Sequence, residues 1–283
     1  MSDVEAPALW PESRLTGASP QSWEFPAHPG ICNAKHMLFG GWLLGALTEA
    51  AQQVTEASMR ELHVGFVSAG AAGEVVDIDV VPVNEQGSFR HVRLTARVGK
   101  RVLVAGTSLL GPPAGADVSL VAPVVEGPGQ YPVQPFGSGK GSGSSRLLEV
   151  RPITTDAEAM ESHRALLWVR VKAEVDPLVA VAVASDFVPA LVKRVLPHFP
   201  FVPTMTASLR VGGTKSGEWM LLDVELSATD ALVASGNVRM WSSDGSLAAT
   251  ASQTCRLLSR APGGSRRGER EATLPEQARR IPR

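Results

Sequence analysis

Asp186 is the first residue whose type and setting could do chemistry. It stands in the apolar run from Ala180 to Val192, where an ionised carboxylate is costly unless partnered. Two roles fit it. With Ser185 it could cap a helix beginning near Phe187 by accepting backbone N–H bonds. It could also point into a cleft and orient a nucleophilic water, and the two roles are compatible. Gln253 lies in the strand-like run Thr250–Leu258. Alternation puts it on the face of Ala251 and Cys255, where its amide can donate to one group and accept from another. Ser208 lies in the run Thr204–Val211 and supplies a hydroxyl, with Thr206 as a rival for that role.

What singles these three out is an internal repeat. Shifting the chain by 144 positions lays residues from about 36–110 on about 180–254 without a gap. Gly73-Glu74 falls on Gly217-Glu218, Asp79-Val80 on Asp223-Val224, and Ala46-Leu47 on Ala190-Leu191. A period this long means two tandem domains rather than a solenoid. The halves differ where it matters: Trp42 faces Asp186, Val64 faces Ser208 and Leu109 faces Gln253. One half keeps apolar residues where the other has an acid, a hydroxyl and an amide.

The elements repeat as well. A strand is expected near Trp23–Phe25, then a buried helix over His36–Val54 entered through Gly40-Gly41. Strands follow over Leu62–Val67, Gly73–Val83, Phe89–Val98 and Arg101–Leu110, the last two a hairpin around Gly99-Lys100. The order recurs with strands over Leu147–Pro152 and Ala165–Lys172, a helix over Val179–Leu196, and strands over Ala207–Val211, Glu218–Leu226, Ala231–Trp241 and Leu247–Leu257. A central helix against an antiparallel meander is an α+β layout. The expected division is an extension over 1–20, a first domain over 21–113, a linker over 114–146, a second domain over 147–258 and a tail over 259–283. Pro, Gly and Ser make the linker flexible, at least across 137–145. The tail's arginines, interspersed with glutamates, suit a disordered, solvated end.

Composition excludes several classes. A net charge of −1 over 283 residues argues against binding nucleic acid or acidic membranes through the whole-protein field. No apolar run reaches the ~18 residues needed to span a bilayer. The N-terminus is acidic and unlike a secretory signal, so a cytoplasmic location is expected. Two cysteines, Cys32 and Cys255, are too few for a disulfide framework or zinc cluster and read as buried thiols. No Gly-x-Ser-x-Gly elbow and no phosphate-cradling loop is present.

The order and wording of the motifs resemble the bacterial acyl-CoA thioesterase II family, built from two fused hotdog domains. The first half carries His36-Met37-Leu38-Phe39-Gly40-Gly41, His63-Val64-Gly65-Phe66 and Gly87-Ser88-Phe89. The second carries Glu149-Val150-Arg151-Pro152, Ser185-Asp186-Phe187, Ala207-Ser208-Leu209, Gly217–Leu222, Asp244–Ala249 and Ser252-Gln253. Two departures stand out. The strand after Ser208 is shortened before Glu218-Trp219, and Trp42 replaces a common polar residue after Gly40-Gly41.

The resemblance implies a double hotdog that hydrolyses an acyl thioester, of CoA or of acyl-carrier protein, to a free acid and a thiol. It implies that Asp186, Ser208 and Gln253 hold and activate a water. Amides of the Phe39-Gly40-Gly41-Trp42 turn would stabilise the developing oxyanion. Lipid metabolism is the implied setting, and no metal or cofactor is required. A homo-oligomer is allowed but unforced. Two alternatives stay open: a binding protein for acyl thioesters or lipids without hydrolysis, and a hotdog hydratase or dehydratase with His36 as base. His36 otherwise reads as a local hydrogen-bonding residue, and His63 as part of a strand surface.

Overall fold

In a computed structural model, residues 15–33, 35–84, 87–113, 121–135, 143–213 and 217–259 are described. The strands of the first half are β1 (Thr16–Ser19), β2 (Ser22–Pro26), β3 (Ser58–Phe66), β4 (Val75–Pro82), β5 (Arg90–Val98) and β6 (Arg101–Gly111). The second half supplies β7 (Leu148–Pro152), β8 (Arg164–Val171), β9 (Thr204–Val211), β10 (Met220–Thr229), β11 (Val233–Ser242) and β12 (Leu247–Arg256). Alternation drives them: in β4, Val76, Ile78 and Val80 are fully buried while their neighbours face outward.

All twelve strands pair antiparallel in one sheet of order β1-β2-β4-β5-β6-β3-β9-β12-β11-β10-β8-β7. The repeated order β2-β4-β5-β6-β3 is mirrored by β8-β10-β11-β12-β9, so the halves join edge to edge. At the seam His63 pairs with Ser208 and Val64 with Ala207. Under the 144-residue offset Val64 matches Ser208 and His63 matches Ala207, so each half meets the other at the same point of its own strand. This is the double hotdog the sequence pointed to.

Among the described residues five α-helices accompany the sheet: α1 (Gly40–Thr55), α2 (Gly143–Leu147), α3 (Asp156–Ser162), α4 (Pro177–Ala184) and α5 (Val188–Val195). The continuous helix expected over Val179–Leu196 is therefore two helices, broken at Ser185-Asp186-Phe187. Pro189 explains the break. In an unbroken helix it would lack an N–H and its ring would strike the carbonyl of Ser185.

α1 and α4 lie against each other through glycine. A Cβ on Gly41 would stand 2.3 Å from the Val183 carbonyl oxygen, and one on Gly45 2.6 Å from Val183 Cγ2. Each glycine costs a helix interior ~1 kcal/mol relative to alanine, and here it allows a backbone approach no other residue permits.

Part of the expected linker is ordered. Residues 121–135 run along the second half: Trp168 Nε1 donates to the Glu126 carbonyl at 3.0 Å, and Arg151 donates to the Tyr131 carbonyl at 3.0 Å. Of the stretch expected to be flexible, 143–145 fall in α2, and 137–142 lie outside the described residues. So do residues 1–14 of the extension and 260–283 of the tail.

Candidate active site

The break between α4 and α5 presents Asp186 not to its own helix but to the helix of the other half. The residue before α5, Phe187, makes no side-chain cap, so the expected capping role is not the one Asp186 plays. Its carboxylate instead accepts the backbone N–H of Gly41 in the first turn of α1. An anion is favoured there by the unpaired amides and the positive end of the helix dipole.

Two side chains from the second half complete the setting. Gln253 Nε2 donates to Asp186 Oδ1 at 2.6 Å, and Gln253 Oε1 accepts the Val188 N–H at 3.0 Å. Gln253 thus ties the start of α5 to the carboxylate docked on the start of α1. Thr204 Oγ1 donates to the same Oδ1 at 3.0 Å. Oδ2 faces Gly40. Asp186 and Gln253 are buried. Burial raises Asp186 above its ordinary 3.8, opposed by the bonds from Gln253, Thr204 and Gly41 and by the charge of Lys193.

Ser208 is not brought to this cluster. It lies on the opposite face of the sheet, where its hydroxyl is 2.7 Å from that of Ser252. Thr206 pairs with Thr254 and is exposed on the same outer face. The reason is a β-bulge. Gln253 pairs with Ala207 and Thr254 with Thr206, but Cys255 pairs with Thr204, leaving Met205 as an extra residue. The bulge resets the alternation, so Thr204 points inward with Cys255 where a regular strand would turn it outward. A Thr opening the run was visible in the sequence; the bulge that aims it was not.

The cluster opens onto a cleft of about 830 Å³ between the halves. Phe39 borders it from just before α1, Gly40 and Leu43 from α1, Leu167 and Val224 from β8 and β10, and Lys193 from α5. Trp42 does not: it is wholly buried in the core. Of the four residues expected at the helix entry, Phe39 and Gly40 form cleft wall, Gly41 spends its amide on Asp186, and Trp42 is structural. His36 is exposed on the turn before α1, with φ of 58°, and is not part of the cleft wall. A hydratase using His36 as base finds no support in that placement. His63 is on the outer face beside Glu61, at 2.8 Å. Cys255 is buried beside Thr204 and burial pushes its thiol up to about 12; Cys32 is likewise raised to about 11. Among the described residues no group of His, Cys, Asp and Glu could hold a metal ion.

Comparison with known proteins agrees with this architecture. No curated protein sequence matches the chain. Among solved structures, a thioesterase candidate from Novosphingobium aromaticivorans is similar at 23% identity with a TM-score of 0.77, covering 90% of this chain and 100% of that one. A tesB protein of Mycobacterium avium subsp. paratuberculosis shares 20% identity at a TM-score of 0.74, over 87% of this chain and 96% of its own. A conserved hot dog protein of unknown function from Alicyclobacillus acidocaldarius shares 21% at 0.76, over 91% and 100%. At these identities the likeness speaks for the fold. Two family models speak for more: the acyl-CoA thioesterase N-terminal domain matches residues 28–111, and the acyl-CoA thioesterase C-terminal domain matches 128–257. The chain belongs to the acyl-CoA thioesterase family and is a thioester hydrolase built as a double hotdog.

Proposed function

We propose that the protein hydrolyses an acyl thioester with a water activated by Asp186, held in place by Gln253 and Thr204. One observation carries this reading. Both neutral donors converge on Oδ1 of a buried carboxylate, at 2.6 and 3.0 Å, and Oδ2 is left beside Gly40 on the cleft wall. A water bonded to Oδ2 would give up its proton there as its oxygen attacks the thioester carbon. The tetrahedral oxyanion would lie near the first turn of α1, whose amides and dipole favour negative charge. Collapse breaks the C–S bond, and the proton held by Asp186 passes to the departing sulfur. Acid and thiol leave, and the carboxylate is restored.

The apolar wall of Phe39, Leu43, Leu167 and Val224 suits a hydrocarbon acyl group. The substrate is acyl-CoA or the thioester of an acyl-carrier protein, and we place the enzyme in cytoplasmic lipid metabolism. No helix among the described residues is long and apolar enough to cross a membrane. Release of free thiol from short, medium and long acyl-CoAs, compared between the wild type and Asp186→Ala, tests the assignment. Loss of release by at least 10²-fold in the variant is expected. An unchanged rate in the variant would remove Asp186 from the mechanism.

A further inference from the structure

The cleft wall is largely apolar, and besides Asp186 its charged residues are the cations Lys193, Arg194 and Arg256. Lys193, in the last turn of α5, lines it and is accessible to solvent. Arg256, at the end of β12, also lines it and is exposed. Lys35 stands next to them: its ammonium lies 4.2 Å from the ring centre of Phe201, a cleft residue that bridges to Leu258, two positions beyond Arg256. Among the described residues none of these three cations forms an ion pair, whereas Arg194, the neighbour of Lys193, is bound to Asp156 at 2.7 Å and to the Thr154 carbonyl at 2.7 Å. Three unpaired cations gathered at one mouth of a chain with net charge −1 are a local concentration of positive field. Lys193 feels it: burial in the cleft lowers its affinity for a proton, Asp186 opposes that, and Lys35 adds to it. Like charges held together with no carboxylate in an ion pair with any of them gain most from a bound anion.

The position says which end of the substrate the anion belongs to. The hydrocarbon-lined wall of Phe39, Leu43 and Leu167 takes the acyl group, while the cations lie on exposed residues, where the thiol carrier must leave. We propose that Lys193, Lys35 and Arg256 bind the phosphate of a phosphopantetheine arm and so favour thioesters carried on that arm over thioesters of unphosphorylated thiols. This rests on the thioesterase reading given above. The phosphate is shared by CoA and by carrier proteins.

The test is a binding titration, which needs no turnover. CoA, 4′-phosphopantetheine and pantetheine are titrated into the wild type, into Lys193→Gln/Lys35→Gln and into a control, Lys100→Gln, in the turn between β5 and β6. One charge-assisted contact is worth about tenfold in affinity. The wild type should bind phosphopantetheine about tenfold tighter than pantetheine. That ratio should fall below about threefold in the double variant, persist in the control, and shrink as salt is raised. Equal binding of phosphopantetheine and pantetheine by the wild type overturns the proposal. So does an advantage confined to CoA, which would move the anion to the nucleotide, or an equal loss of all three ligands in the double variant. Hydrolysis of acyl-CoA and of acyl-carrier protein by the same proteins identifies the source: the carrier whose kcat/KM falls in the double variant is the one read. Absence of thiol release from every substrate, with the binding ratios intact, would sink the hydrolytic reading and leave the anion site standing.

Discussion

A methyl group on Gly40 would stand 2.6 Å from Oδ2 of Asp186, closer than any normal contact. The first residue of α1 is thus shaped by a carboxylate that belongs to the other half of the chain. Gly40→Ala should favour the helix itself and still displace Asp186. A shift of about 1 Å at a reacting group can cost ~10²-fold. The expected outcome is a fall in kcat of that order with a melting temperature changed by only a few degrees, read by thiol release and thermal unfolding.

Thr204 and Ser208 make opposite predictions. Thr204→Ala removes a donor to Asp186 and should lower kcat ~10- to 10²-fold, with Thr204→Ser recovering most of it. Ser208→Ala, on the outer face, should stay within about twofold of wild type. The reverse result would mean that the bulge at Met205 does not set the working register.

Asp186 should be visible in pH dependence. Burial raises it above 3.8, and the proposed mechanism needs it ionised, so the acidic limb of kcat should lie above the ordinary aspartate range. Stability has the opposite sense. A carboxyl raised on folding contributes stability below its unfolded value, and that contribution is lost as pH rises through the raised folded value. The melting temperature of Asp186→Asn relative to wild type should therefore climb between pH 4 and pH 8. A gap that does not change with pH would contradict the raised value.

Gln253 joins Asp186 to the Val188 N–H. Gln253→Leu, the residue its first-half twin carries, leaves two buried polar groups without that partner. The cost should be ~1–3 kcal/mol, or ~2–4 °C per kcal/mol for a chain of this size, together with loss of activity. Gln253→Glu should act differently: a second carboxyl against Asp186 raises the acid limb further, measurable as a shift of the pH–rate profile.

Much of this was legible in the residues. Alternation in β4 and the 144-residue echo gave the strands, their order and the second half as the seat of Asp186 and Gln253. What escaped were features fixed by backbone irregularity. Pro189 splits a run that periodicity reads as one helix, and the extra residue at Met205 turns Thr204 to the inner face while Thr206 stays on the outer one. Trp42 carried a mixed signal: it marked the twin of Asp186 correctly, but a large apolar ring beside a helix entry belongs in a core as readily as in a pocket. Tertiary contact alone decided that α1, rather than α5, receives the carboxylate.

The pairing of Asp186 with the first turn of α1 has a consequence for descent. A symmetric pair of first halves would possess the glycine-led helix entry with Trp42 in place of the acid. A symmetric pair of second halves would possess the acid, but start its helix with Val188-Pro189, where proline withholds an amide. Neither pair would set an acid against a glycine-led helix entry as this chain does. On the proposed chemistry the two halves are complementary rather than equivalent, one supplying the acid and the other the helix entry that receives it.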